Sequence, residues 1–208
     1  MTKSDPNSKT AAIKRCAWVA PGNEVYAAYH DLEWGVPEYD DQALFEKLLL
    51  DGAQAGLSWW IILQKRDGYR AAFDRFDPEK IARYNQRKVE TLLKDERIVR
   101  NRLKVNAFVT NAQAYLKLRA ELGSFSDFLW AFVGGSPIQN RRKTLKDIPT
   151  QSPEAEAMSK ELKRRGFKFV GPTIVYAFMQ AVGMVNDHTL DCHRYEKVTS
   201  AQKARRKK

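Results

Sequence analysis

The residues Lys163-Arg164-Arg165-Gly166-Phe167-Lys168-Phe169-Val170-Gly171-Pro172-Thr173 decide the fold, because they read as the end of one helix, a tight hairpin and the start of the next. Gly166 follows a basic last turn and can take the left-handed conformation that closes a helix. Pro172 suits the first position of the next helix, where an amide would have had no partner in any case. Gly171 leaves backbone amides uncovered at a helix start, where the positive end of the dipole favours a phosphate. Lys168 and the basic residues at 163–165 add charge to the same turn. Taken alone, the stretch fits a corner between two helices with a solvated basic turn equally well.

Working outward, the segments on either side are helical too. Ser152-Pro153-Glu154 opens the helix that ends in the basic turn, and an apolar helix runs from Thr173 to about 182. Val105, Phe108, Val109, Ala112 and Leu116 recur at helical spacing within 102–122, and Gly123 ends that helix. An aromatic helix over 125–133 is closed by Gly134-Gly135, and 136–151 reads as a polar connection. Earlier in the chain, Asp77-Pro78-Glu79 starts two short amphipathic pieces at 81–84 and 89–93. Ser58 can cap a helix carrying Trp59, Ile62, Leu63, Tyr69 and Phe73. Asp40 or Asp41 can cap the first helix of the body, where Leu44, Phe45, Leu48 and Leu49 lead into Asp51-Gly52-Ala53-Gln54-Ala55-Gly56. No strand alternation bounded by turns is present. The fold class is all-α.

A chain of 208 residues suffices for a core without disulfides. It has no apolar run long enough to span a membrane and no hydrophobic leader, so a cytoplasmic protein is expected. The net charge of +11 is concentrated at the ends: residues 194–208 hold seven Lys/Arg against one Glu, and 1–15 hold four against one Asp. These basic segments suit a polyanion or simply solubility, so charge does not decide function. The expected organisation is a disordered tail over 1–14, one domain over 15–193 and a basic tail over 194–208.

Only two cysteines and three histidines occur in the chain. His188 and Cys192 stand four apart, on one face if that segment is helical. Cys16 and His30 can supply two more corners of a Cys2His2 tetrahedron, which would leave no open position and so be structural rather than hydrolytic. Ordinary buried thiols and histidines remain the plain alternative, and His193 is a possible substitute ligand. Asp187 and Asp191 could orient a ligand histidine or face solvent. Trp18, Tyr26, Tyr29 and Trp59 are ordinary core candidates, but aromatics beside an acid can also sandwich a flipped base while a carboxylate reads its edge. Asp51, where a helix meets a glycine-rich bend, is the acid placed for that.

Together these features resemble the 3-methyladenine DNA glycosylase I (Tag) family of the helix-hairpin-helix superfamily. The resemblance is carried by Arg15-Cys16-x-Trp18, by Tyr29-His30-Asp31-x-Glu33-Trp34-Gly35-Val36-Pro37 and by Gln54-Ala55-Gly56-Leu57-Ser58-Trp59. It continues through 163–171 and Val185-Asn186-Asp187-His188. It implies a helix-hairpin-helix glycosylase fold whose N- and C-terminal segments are joined by structural zinc on Cys16, His30, His188 and Cys192. It further implies excision of 3-methyladenine from alkylated double-stranded DNA by base flipping, in base excision repair and by a monomer. The matching pocket residues are Trp18, Tyr26, Tyr29 and Trp59, with Asp51 as the catalytic carboxylate; Leu57, Lys168, Gly171 and Thr173 are the expected DNA contacts. Lyase-type relatives carry Lys at the position of Thr173, so a Schiff-base step is not expected. Asp51 stands where the family usually has Glu. The alternative is therefore a zinc-stabilised DNA-binding protein whose catalysis is weakened or lost through that shorter side chain.

Overall fold

The Asn23 side chain accepts the Tyr26 amide at 2.9 Å and so starts α1 (Glu24–Leu32), a helix ahead of the position near residue 41 where the first one was expected. The computed structural model describes the backbone over residues 13–205 and the side chains over 13–200. Most of the expected disordered tail, residues 1–12, lies outside the described residues, as do 206–208. After α1 come α2 (Asp41–Gln54), α3 (Trp59–Ala72), α4 (Pro78–Ile81), α5 (Gln86–Leu92) and α6 (Arg102–Leu122). They are followed by α7 (Phe125–Ala131), α8 (Pro153–Arg164), α9 (Pro172–Ala181) and α10 (Tyr195–Arg205). The protein is an all-α bundle.

Helix α2 is the central element. Asp40 caps it by accepting the Ala43 amide at 2.8 Å. Asp41 accepts the Phe125 and Ser126 amides at 3.1 and 2.7 Å, which fastens the start of α7 to the start of α2. Leu44, Phe45, Leu48, Leu49, Leu50 and Ala53 are all buried, so α2 is apolar around most of its circumference rather than on one stripe. Each such side chain contributes about 1.5–3 kcal/mol of burial. At the far end, the buried Lys104 of α6 donates to the carbonyls of Ala53 and Ala55, both at 2.7 Å. Those are C-terminal carbonyls that the helix itself leaves without partners.

The hairpin between α8 and α9 is held by backbone contacts. Gly166 has φ +95°, and the Phe167 amide donates back to the Leu162 carbonyl at 3.0 Å, closing α8. Asn111 of α6 receives the Lys168 amide at 2.7 Å and donates to the Lys168 carbonyl at 3.1 Å. Ser159 donates to the Val170 carbonyl at 2.6 Å. Phe167 and Val170 are buried in the core. Phe169 adopts φ +55°, and a Cβ on Gly52 would stand 3.2 Å from the Phe169 Cβ, so α2 meets the hairpin where it has no side chain.

Three local expectations differ. Ser58 stands at the N-cap of α3 but makes no side-chain cap hydrogen bond. Residues 136–151 are more than a connection: β1 (Ile138–Gln139) pairs in parallel with β2 (Val185–Asn186). Two-residue strands are too short for alternation to reveal them. Within the expected basic tail, α10 begins at Tyr195, Val198 is buried, and Thr199 bonds Gln139 at 3.0 Å.

Gly183, just after α9, has φ +70°, and a Cβ there would stand 2.5 Å from the Pro37 nitrogen. Gly183→Ala should therefore cost about 2–4 kcal/mol, from backbone strain plus the clash. The check is thermal unfolding, with Tm expected to fall by roughly 5–15 °C for a domain of this size.

Candidate functional site: a metal cluster behind an aromatic pocket

Cys16, His30, His188 and Cys192 are all buried, and one ligand atom from each lies within 4.8 Å of the others. The Cys16 Sγ is 3.5 Å from His188 Nδ1, and the Cys192 Sγ is 3.5 Å from His30 Nε2 and 3.6 Å from His188 Nδ1. His188 and Cys192 sit on an irregular loop rather than the helical turn expected for them, and the loop still converges both side chains. The outward ring nitrogens are committed. His188 Nε2 donates to the Trp34 carbonyl at 3.1 Å, which leaves the Nδ1 lone pair facing the thiols. His30 Nδ1 lies 2.7 Å from Asp31 Oδ1. Burial alone would raise the Asp31 carboxyl, but hydrogen bonds from Arg15, His30 and His193 hold it well below the usual carboxylate range. Asp31 can therefore only accept, so His30 Nδ1 donates and Nε2 is left as a ligand.

The two thiols are matched. Their mutual hydrogen bond pushes Cys192 down and, with burial, pushes Cys16 up, so the cluster readily carries a thiolate. Burial lowers His188, keeping the imidazole neutral and able to coordinate. Two sulfur and two imidazole donors with fixed outer partners suit a metal ion. His193, considered as a substitute ligand, instead bonds Asp31 at 2.9 Å. Asp191 pairs with Lys14 at 2.6 Å. Asp187 is buried and takes bonds from Asn140, Arg142, Tyr176 and Gln180 at 2.7–3.2 Å. With both oxygens engaged, Asp187 positions the loop that carries His188.

The aromatic residues lie on the other face of this cluster. Trp18 packs edge-on to Tyr26, His30 and Trp34, with centroids 5.1, 5.1 and 5.2 Å away. Tyr29 and Trp59 are 5.4 Å apart. A base sandwiched between two rings would need them roughly 7 Å apart, twice an ordinary contact distance. The expected sandwich is therefore absent between these pairs; the rings contact one another and present edges and faces to a shared cavity of about 410 Å³. Trp18, Tyr26, Tyr29, Asp51 and Trp59 all line it, and so does Thr173 from the hairpin helix. Leu145, Ile148, Pro149 and Thr150 form a wall that was not expected, since those residues carry no aromatic or charged signal.

Asp51 is 3% exposed, and its Oδ2 has no hydrogen-bond partner among the described residues; the same is true of Trp59 Nε1. Asp51 Oδ1 accepts from Lys47 one turn earlier on α2. Burial raises the Asp51 carboxyl against the pull of Lys47, and burial lowers Lys47 against the pull of Asp51. The Lys47 ammonium also lies 3.9 Å from the centroid of the Trp59 ring. Lys47 was missed from the sequence, where its spacing to Asp51 was the available signal.

At the hairpin, no side chain caps the start of α9, so its first amides are not taken by a cap. Lys168 and Thr173 are exposed beside it, and Leu57 is half-buried on the turn between α2 and α3. The basic residues at 163–165 contribute less than their number suggests: Arg164 pairs with Glu161, and Arg165 with both Glu161 and Glu121.

A hairpin offering uncapped amides, next to a cavity with an aromatic wall and a buried carboxylate, suits an enzyme that works on a flipped base, and likeness to known enzymes makes the protein a DNA base-excision glycosylase, a hydrolase of N-glycosidic bonds. The comparisons agree in detail. The methyladenine glycosylase family profile matches residues 18–195, and the chain belongs to that family, in its 3-methyladenine DNA glycosylase I branch. It is 50% identical over 183 residues to DNA-3-methyladenine glycosylase 1 of Escherichia coli K12, covering 88% of this chain and 97% of that one. A crystal structure of 3-methyladenine DNA glycosylase I superposes with a TM-score of 0.85 at 50% identity, covering 86% of this chain and 98% of the other. The Staphylococcus aureus enzyme, solved to explain its recognition of 3-methyladenine, gives 0.84 at 42% identity, with 88% and 96% covered. No described helix is long and apolar enough to cross a membrane.

Asp31→Ala should weaken metal affinity about 10- to 100-fold, because the His30 imidazole loses its orienting acceptor. Competition with a chromogenic chelator, compared between wild type and variant, measures this directly.

Proposed function

We propose that the protein removes 3-methyladenine from alkylated duplex DNA as a monofunctional glycosylase, with structural zinc on Cys16, His30, His188 and Cys192. The observation that carries the substrate is the buried Asp51 carboxylate, with one oxygen unpartnered, in an aromatic cavity. Methylation at N3 makes adenine a cationic leaving group, so its glycosidic bond is already weak. The enzyme need only extract the base, hold it and admit water to the sugar. Electron-rich ring faces attract the cation by roughly 0.5–2 kcal/mol per contact. Asp51 supplies the opposite charge and an acceptor for the base's N–H groups, while Trp59 Nε1 is a free donor. Trp18, Tyr26 and Tyr29 complete the wall, an arrangement that favours the charged base over unmodified adenine.

Zinc is supported by the donor geometry. Tetrahedral zinc with bonds of about 2.3 Å to sulfur and 2.0–2.1 Å to nitrogen separates those atoms by roughly 3.6 Å. The cluster's separations are 3.5, 3.5 and 3.6 Å. Four protein ligands leave no site for substrate, so the ion would fasten the fold. At the edge of the cavity, the start of α9 with Gly171, Lys168 and Thr173 would take a DNA phosphate, and Leu57 would fill the gap left by the flipped base. Thr173, carrying no amine, fits hydrolysis without a lyase step.

Incubation with methylated duplex DNA and chromatography of the freed bases should show 3-methyladenine. Asp51→Ala should lower kcat/KM roughly 10- to 150-fold, the range for a hydrogen bond to a charged group. Trp59→Ala should lose roughly 5- to 150-fold through stacking. Absence of free 3-methyladenine with folded, metal-loaded protein would refute this function.

A further inference from the structure

The Lys47 ammonium holds both charge-recognising elements of the cavity at once. It is paired with the Asp51 carboxylate, and it lies over the Trp59 ring at 3.9 Å. A cationic base needs the same two partners. Lys47 also has somewhere else to go, because its side chain lines a second cavity of about 290 Å³ on the other side of Tyr29 and Trp59. Glu33, Glu38 and Glu46 line that second cavity. Arg66 and Arg70 partner Glu33 and Glu46, and the Glu38 carboxylate accepts the Tyr39 and Asp40 amides. A lysine swung into this space would meet these carboxylates beside Arg66 and Arg70, which also line the cavity, and a wall completed by apolar residues such as Leu50 and Val182.

We propose that Lys47 is an internal stand-in for the cationic base: it occupies the Asp51–Trp59 charge site in the free protein, must swing toward the neighbouring cavity when a charged base enters, and thereby sets how strongly the pocket prefers a charged base to a neutral one. The inference rests on the cationic-base reading of the pocket given above. While Lys47 is in place, the carboxylate's charge is already balanced, and a charged base gains only what remains after displacing the ammonium. A neutral base that stacks on Trp59 must also displace the ammonium from the ring, but it does not compete for the Asp51 charge, so Lys47 discounts it less. Lys47 is on this account a specificity-determining residue.

The test uses the full-length, metal-loaded protein and its Lys47→Met and Lys47→Arg variants. Each is titrated at pH 8, because burial raises the Asp51 carboxyl and a higher pH favours its ionised form. The probes are 3,9-dimethyladeninium, whose charge is fixed, and neutral 9-methyladenine, followed by calorimetry, with Tm checked for each variant. Lys47→Met should bind the cation roughly 3- to 30-fold tighter, the factor a cation–π contact is worth. It should change 9-methyladenine binding by a smaller factor than it changes the cation's, and Lys47→Arg should keep the wild-type ratio. Cation binding that is unchanged or weaker in a folded Lys47→Met protein would overturn the assignment and make Lys47 a support that keeps Asp51 charged. A parallel excision assay on methylated duplex DNA separates the two ideas. No base release by any variant, with the cation preference shifted as expected, removes the substrate reading and leaves the Lys47 assignment standing.

Discussion

Two imidazole rings whose outer nitrogens are already committed hold the functional half of this protein together. His188 is turned by the Trp34 carbonyl and His30 by Asp31, and only in those orientations do the inner nitrogens meet the two thiols. The residues interleaved with the ligands are pocket residues: Trp18 follows Cys16 by two, and Tyr29 precedes His30. The segment before α2 has little apolar contact with the main core; its buried residues form a separate small cluster with Cys192, Ala181 and Leu63. Without a cross-link, that cluster alone would have to offset the ordering of roughly twenty residues, each costing about 1–2 kcal/mol of backbone entropy. The metal ligands and the pocket wall are thus one construction.

On the opposite side of the cavity the constraint is backbone geometry. Asn111 grips both polar groups of Lys168, Ser159 caps the Val170 carbonyl, and Gly52 lets α2 approach Phe169. None of these contacts depends on the side chain of an exposed hairpin residue. The hairpin's shape is therefore fixed from beneath, and its exposed surface is free to serve DNA. Asp187 performs the matching task at the other end of α9, tying Tyr176 and Gln180 to Asn140 and Arg142 and so fixing the approach to His188.

The helices were readable in the chain because their signals are local. Gly123 and the Ser152-Pro153 pair mark ends, and the α6 periodicity marks a buried face. The four metal ligands were readable as scarce residue types, but with 172 residues between Cys16 and His188 their convergence into a Cys2His2 set was an open alternative until the family resemblance was added. Lys104 and Asn111 looked like ordinary surface polar residues. Their roles arise from carbonyls and amides of distant segments, which leave no periodic trace. The direct contacts between Tyr29 and Trp59 escaped for a related reason: composition gathers aromatics into one region but does not fix the spacing of their faces. The glycine-rich bend marks Asp51 in the sequence and the fold puts it on the cavity wall, whereas its partner Lys47 reads as one more helix-surface cation.

The packing of Trp18 and Trp34 around the metal cluster has a practical corollary. Both indoles lie against the His30 ring, at 5.1 and 6.3 Å, and the Trp34 carbonyl is bonded to His188. Any change in the charge or orientation of those imidazoles alters the local field at two indoles that also stand beside the base cavity. Trp18 and Trp34, two of the five tryptophans, are thus the indoles whose emission is expected to follow the state of the metal cluster, with no label attached.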